Sequence, residues 1–287
     1  RVILWEVRMP FAAMAVLVGA ALGLSGAQMQ TVLNNPLASP FTLGLSAAAT
    51  VGAALAIVTG FDAWGLGPHV ALPLCAFGGA ATAAGLIYLL TWRWGASIGA
   101  VVLFGIALMF TFEAALWLLE FIADSNALQQ IVFWNMGSLG RSTWPKIATL
   151  AFVLLVCGMW TQSQAWQLTV LRAGEDHARS SGVAVERLRL LSLFRVCVLS
   201  ATALAFVGTI AFVGLVGPHI ARILLGEDHR FYLPASALCG AVMLAGASIL
   251  SKTLVAGVVL PIGIVTALVG VPVFLVLVLR SRGGLQV

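Results

Sequence analysis

Glu113, Trp117 and Glu120 stand at i, i+4 and i+7 of one apolar stretch, so a helix there carries two carboxylates on a single face. A charge near the centre of a lipid bilayer costs at least about 2.5–3.5 kcal/mol, so such groups turn toward a cavity or a partner. Two chemistries are open to them: proton relay, or lining a polar pathway. The sequence offers no second ionisable side chain at comparable depth, which favours lining. His69, His177, His219 and His229 are dispersed, and Cys75, Cys157, Cys197 and Cys239 sit singly in apolar stretches. No pair has metal-site or redox spacing, so no metal site is expected and the cysteines read as small buried residues. The chain has no Gly-x-x-x-x-Gly-Lys-Ser/Thr loop and no Gly-x-Gly-x-x-Gly. Any ATP and Mg must be bound by another chain.

Three polar segments could carry function. In 164–189, Gly174 and Gly182 bracket Glu175-Asp176-His177-Ala178-Arg179, a short helix of alternating charge. Glu175 and Arg179 are four apart, a favourable intrahelical pair. Such a helix suits docking into a partner's groove, and a solvated loop is the plainer alternative. In 30–46, Pro36 and Pro40 break any helix, and Asn35-Pro36-Leu37 falls at the break. Irregular backbone near membrane depth is tolerated inside protein or beside water, which favours a pathway-lining loop over a plain turn. In 123–144, Asp124-Ser125 precedes Phe133-Trp134, and Trp144 follows, as in a segment at the membrane–water boundary.

The elements that position these groups follow from composition. Of 287 residues, 61% are hydrophobic and 9% charged, against about 25% charged in a soluble domain. Too few charges remain to cover a water-facing surface, which excludes a soluble enzyme. The net charge of +5 is too dispersed for a nucleic-acid footprint. The expectation is an all-α polytopic membrane protein forming one domain over 1–287. A crossing needs about 20 apolar residues. Candidate spans are 11–33, 43–60, 69–91, 98–122, 145–162, 190–207, 208–225, 232–251 and 258–280, with the long run 190–225 split near Gly208 and Gly214.

One side of the membrane takes Arg93, Arg172, Arg179, Arg187, Arg189, Arg195, Arg222, Arg230, Arg280 and Arg282; the other takes Arg1, Arg8, Arg141, Lys146 and Lys252. The basic side is expected to be cytoplasmic, which places Arg1 outside. A chain that starts outside without Met or apolar leader suggests a further helix upstream, ten in all. Gly19 and Gly23 form a small-xxx-small pair, assigned to packing within the chain ahead of a dimer seam.

Six stretches, in order, carry a resemblance: Trp5-Glu6-Val7-Arg8-Met9-Pro10; Gly19 through Ser25-Gly26 into Asn35-Pro36-Leu37-Ala38-Ser39-Pro40; Trp134-Asn135-Met136-Gly137-Ser138-Leu139; Gly174-Glu175-Asp176 to Gly182-Val183; Phe212-Val213-Gly214-Leu215-Val216-Gly217-Pro218-His219; and Leu260-Pro261-Ile262-Gly263 to Pro272. Together they resemble the transmembrane permease of type II ABC importers for iron-siderophore complexes, haem and cobalamin. The resemblance implies a ten-helix subunit in the bacterial cytoplasmic (inner) membrane. It also implies a second permease subunit, two cytoplasmic ATP-binding subunits and an external substrate-binding protein. Gly174, Glu175, Asp176, His177, Ala178, Arg179 and Gly182 would then couple to the ATPase, and Arg8 and Lys252 would receive the binding protein. Asn35-Pro36-Leu37 would close the cytoplasmic end of a pathway lined by 98–122 and 258–280, with Asp124 and Ser125 at its outer constriction. Two positions depart from the pattern: Phe11 where a second Arg is usual, and Val259 where an acidic residue is frequent.

The expected function is import of an iron chelate, a ferric siderophore first and haem or cobalamin second, with no bond made by this chain and no cofactor of its own. From a different class, an ion-coupled secondary transporter would use Glu113 and Glu120 as coupling charges.

Overall fold

The computed structural model describes residues 2–283 apart from 62–64, 66, 95–97 and 256. Arg1, used above for orientation, lies outside the described residues, as do the side chains of His69, Arg280 and Arg282. Among the described residues the chain is all helical: α1 Met9–Val32, α2 Leu45–Thr59, α3 Pro68–Trp94, α4 Ile98–Ile122, α5 Ser125–Asn135, α6 Trp144–Ser163, α7 Ala165–Arg172, α8 Glu175–Ser180, α9 Val185–Val207, α10 Val213–Leu225, α11 His229–Thr253 and α12 Ile262–Gly283. A π-helical stretch, Ile3–Arg8, leads into α1.

Six described helices are long and apolar enough to cross a membrane: Ile3–Val32, Val70–Arg93, Ile98–Ile122, Trp144–Ser163, Val185–Val207 and His229–Thr253. Shorter apolar helices lie at Leu45–Thr59, Val213–Leu225 and Ile262–Val276. Each expected span falls on one of these. The long run divides at Gly208, as expected, but helix resumes only at Val213. Gly208 has φ 83°, and a Cβ there would strike the Trp134 carbonyl, so the break requires glycine.

α1 is the axis of the fold, packed by α6, α9, α10 and α11. Its small residues permit this: a Cβ at Gly19 would collide with the Gly240 carbonyl, and one at Gly23 with the Ser236 carbonyl. Both partners are on α11, so the glycine pair serves packing within the chain. α9 is the other interior helix, while α4 and α6 keep most of their surface outward.

Two segments differ from their expected form. Residues 164–189 fold as two helices, α7 and α8, followed by the start of α9. Residues 123–144 include an amphipathic helix, α5, and a short 3-10 turn, Leu139–Arg141. The segment after α5 then brackets distant helix ends. Ser138 N–H donates to the Val207 carbonyl at 2.7 Å, closing α9. The first amides of α12, at Ile262 and Gly263, donate to the carbonyls of Gly137 (3.2 Å) and Met136 (3.0 Å), so the helix start is satisfied.

Candidate functional site

At one end, the two helices α7 and α8 gather around the terminus of α1. Gly174 (φ 134°) and Gly182 (φ 83°) bracket α8 in conformations that favour glycine. Glu175 sits 3.5 Å from Arg179, the pair expected from spacing, but it also binds Arg189 of α9. Arg179 turns mainly to Glu186, at 2.7 Å. Asp176 and His177 stay exposed and Ala178 is fully buried, so α8 lies on the protein by one face and offers its charged face outward.

The α1 terminus beside it is polar and heavily held. Arg195 is fully buried; it donates to Gln28 Oε1 at 3.1 Å, to Gln164 Oε1 at 2.6 Å and to Ser192 Oγ at 2.9 Å, and it lies over the Trp160 ring. Arg222 reaches Gln30 and Tyr232, at 3.3 and 3.2 Å. His229, also buried, lies 2.7 Å from Thr31 Oγ1. Arg189 donates to the Val32 carbonyl at 3.2 Å, and Arg172 to Asn34. The sequence counted four of these five as basic charges of one membrane side and placed no second ionisable group at depth. In the structure Arg195 lies within α9, level with the junction of α6 and α7, and is held by Gln28 of α1, Gln164 of that junction and Ser192 of α9 itself.

Glu227, in the turn between α10 and α11, closes the cluster with ion pairs to Arg172 (3.0 Å) and Arg222 (3.1 Å). Partial burial opposes its charge, yet the Arg172 hydrogen bond and the charges of Arg172, Arg222 and His229 outweigh it and hold the carboxyl below its ordinary value.

Immediately beyond Asn34 (φ 41°), Asn35 Oδ1 accepts from Leu37 N–H at 2.9 Å, an Asx turn that starts the Pro36-Leu37 break. Leu37 is half-exposed. The same segment reaches Phe41, which joins Glu113 and Trp117 of α4 with Thr50, Asn135 and Thr209 around a cavity of about 250 Å³. The fold therefore brings together Glu113, Trp117, the loop after Pro36 and the Trp134-Asn135 motif. Glu120 is not part of that cavity lining. Among the described residues, neither Glu113 nor Glu120 has an ion-pair partner.

At the opposite end, Asp124 caps α5 by accepting from Ala127 N–H at 2.7 Å, and Ser125 is the first residue of that helix. α5 and the stretch 258–262 face a larger cavity, about 830 Å³, lined by Phe11, Asn126, Gln129, Gln130, Arg141 and Ser251 among others. Arg141 stacks on Trp134 at 5.8 Å, and burial lowers its pKa. Arg8 ends the π-helical stretch, and Lys252 lies 3.6 Å above the Phe11 ring. Of the two expected docking cations, Lys252 thus sits on Phe11, a lining residue of this cavity. No group of three His, Cys, Asp or Glu able to hold a metal occurs among the described residues.

Sequence reasoning missed the amides of α5, Asn126, Gln129 and Gln130, whose spacing of three and four was the available signal.

Long apolar helices around a polar-ended central helix, with a charged helix at one end and open cavities toward the other, define a polytopic membrane permease. The chain belongs to the FecCD transport family, whose model matches residues 1–280. It is 39% identical to the hemin transport system permease protein HmuU of Yersinia pestis, over 96% of this chain and 83% of that one. It is also 39% identical to the vitamin B12 import system permease protein BtuC of Klebsiella pneumoniae, over 98% and 83%. A solved structure described as an inward-facing conformation of a metal-chelate type ABC transporter superposes with TM-score 0.90 at 33% identity, covering 97% of this chain and 88% of that one. The chain is a permease of the type II ABC importer class.

Proposed function

We propose that this permease passes an iron chelate, a ferric siderophore, across the cytoplasmic (inner) membrane, delivered by an external binding protein and driven by ATP hydrolysed on partner subunits. The observation that carries the substrate reading is the 830 Å³ cavity with Asn126, Gln129 and Gln130 in its wall. Primary amides both donate and accept hydrogen bonds, which suits a chelate rich in carbonyl and hydroxyl groups. Haem or cobalamin is the second reading, supported by 39% identity to a hemin permease and to a vitamin B12 permease.

In this reading Asp176 and His177 present the face on which an ATPase subunit sits, Glu175 and Arg179 hold α8 in place, and Gly174 and Gly182 shape it. Asn35-Pro36-Leu37 closes the pathway at that end. Glu113, Trp117 and Glu120 line it, and Asp124 and Ser125 stand at the outer constriction. Arg8 and Lys252 receive acidic groups of the binding protein through charge-assisted contacts. A second permease subunit, a copy of this chain or a related one, completes the pathway.

Proteoliposomes carrying the permease, its ATPase and its binding protein test this. ATP-dependent uptake of a ferric hydroxamate, with haem and cobalamin not taken up, is the expected result. Uptake of haem alone overturns the siderophore assignment, and gradient-driven uptake without ATPase overturns the importer reading for this chain.

A further inference from the structure

Arg189 makes two contacts that belong to different parts of the proposed machinery. Its guanidinium pairs with Glu175, the first residue of α8, and its Nε donates to the carbonyl of Val32, the last residue of α1. The Arg189 side chain is 8% exposed, whereas that of Glu175 is 37% exposed. A helix C-terminus leaves carbonyls without intrahelical partners and carries partial negative charge, so the Val32 oxygen is a natural seat for a cation. Three residues later the Asn35-Pro36-Leu37 turn begins. Arg172, the last residue of α7 and just ahead of Gly174, binds Asn34, the residue before that turn.

We propose that Arg189 is a positioning residue that ties the position of α8 to the Asn35-Pro36-Leu37 turn. The planar guanidinium binds carboxylate and carbonyl at once and holds the two at fixed separation. A displacement of α8 therefore either moves the end of α1 or breaks one of two contacts made in a largely buried setting. A lysine in this place, with a single ammonium on a flexible stem, would hold the pair less rigidly. The assignment rests on the reading of α8 as the ATPase seat and of 35–37 as part of the pathway.

The test uses the permease–ATPase complex in proteoliposomes, with Cys75, Cys157, Cys197 and Cys239 replaced by Ala and a reporter thiol introduced as Leu37→Cys. The labelling rate with a charged maleimide is read with and without ATP and Mg, at matched ATPase content. In the parent the two rates should differ by about fivefold or more. Arg189→Gln should bring the ratio near one while the ATPase still co-purifies, Arg189→Lys should fall between, and Glu175→Gln combined with Arg189→Gln should add nothing further. A parental ratio in Arg189→Gln overturns the proposal, as does a parent whose labelling ignores nucleotide. If Arg189→Gln fails to fold, Glu175→Gln cuts the same link from the exposed side, and an unchanged ratio there is equally fatal. A separate variant, Asp176→Lys with His177→Glu, reads the seat itself: ATPase retained by that variant overturns the docking reading and this proposal with it. ATPase lost there, together with an unchanged ratio in Arg189→Gln, overturns this proposal alone.

Discussion

The two ends of the molecule treat charge in opposite ways. Around the end of α1, Arg172, Arg189, Arg195 and Arg222 each find an acceptor on α1 or in the turn just after it, and His229 is hydrogen-bonded to Thr31. Toward the other end, Glu113 and Glu120 have no ion pair among the described residues. Satisfied buried networks are rigid, because each member loses heavily if a partner leaves. Unpaired groups beside cavities stay available to water or cargo. The contrast matches a permease with a stiff end for transmitting force and a loosely committed end for passage.

The sharpest way to break that contrast is Arg195→Ala. It removes a fully buried cation that donates to Gln28, Gln164 and Ser192, leaving Gln164 and Ser192 without that donor. Leaving a buried polar group without its partner costs about 1–3 kcal/mol. The unfolding midpoint of the purified protein in detergent should fall sharply, and Arg195→Lys should recover only part because a compact ammonium on a flexible stem lacks the rigid planar fork that reaches all three acceptors. An unchanged midpoint for Arg195→Ala would mean that the clasp at this end is decoration.

Much of this architecture was readable beforehand, and the reason it was readable explains what was not. Apolar length marks a crossing wherever it occurs, so the spans and the split at Gly208 were visible without any partner in view. α8 announced itself through two glycines and a charge pattern confined to nine residues. The clasp did not, because its donors and acceptors are far apart in sequence: Arg195 meets Gln28 across 167 residues. The arginines of α9, Arg187, Arg189 and Arg195, all lie in its first half and leave a long apolar run after them, so α9 read as an ordinary span with its charges toward one edge. The bracket at Met136-Gly137 was equally hidden, since its acceptors are backbone carbonyls that every residue possesses. Gln28, Gln30 and Thr31 on an apolar helix were the unused signal.

Glu227 offers a smaller perturbation of the same end. Its folded pKa is below the ordinary 4.5, so it contributes stability above the unfolded value, and that contribution disappears as pH falls through the folded one. The side chain is 43% exposed, which limits each pair to about 1 kcal/mol at most. Wild type should therefore exceed Glu227→Gln in stability at pH 7 and converge with it in acid, below pH 4.5. High salt should shrink the gap. A gap that persists unchanged into strong acid would show that the Gln variant acts through packing, not charge.

The smallest effect belongs to the loosely committed end. Glu113→Gln with Glu120→Gln keeps side-chain volume and removes both charges, and no ion-pair partner among the described residues is left stranded. Stability should shift by no more than about 0.5 kcal/mol, as for surface positions outside any network. ATP-driven uptake should persist if, as proposed, the energy of transport enters at α8 and not through these carboxylates. What should change is the selectivity for charge: a cavity wall without Glu113 disfavours anionic cargo less, so a more anionic chelate should gain relative to a neutral one. If the double variant instead abolishes uptake while folding and ATPase binding survive, the carboxylates carry an obligatory charge. The comparison between a transmitting end and a passive one would then fail at its passive half.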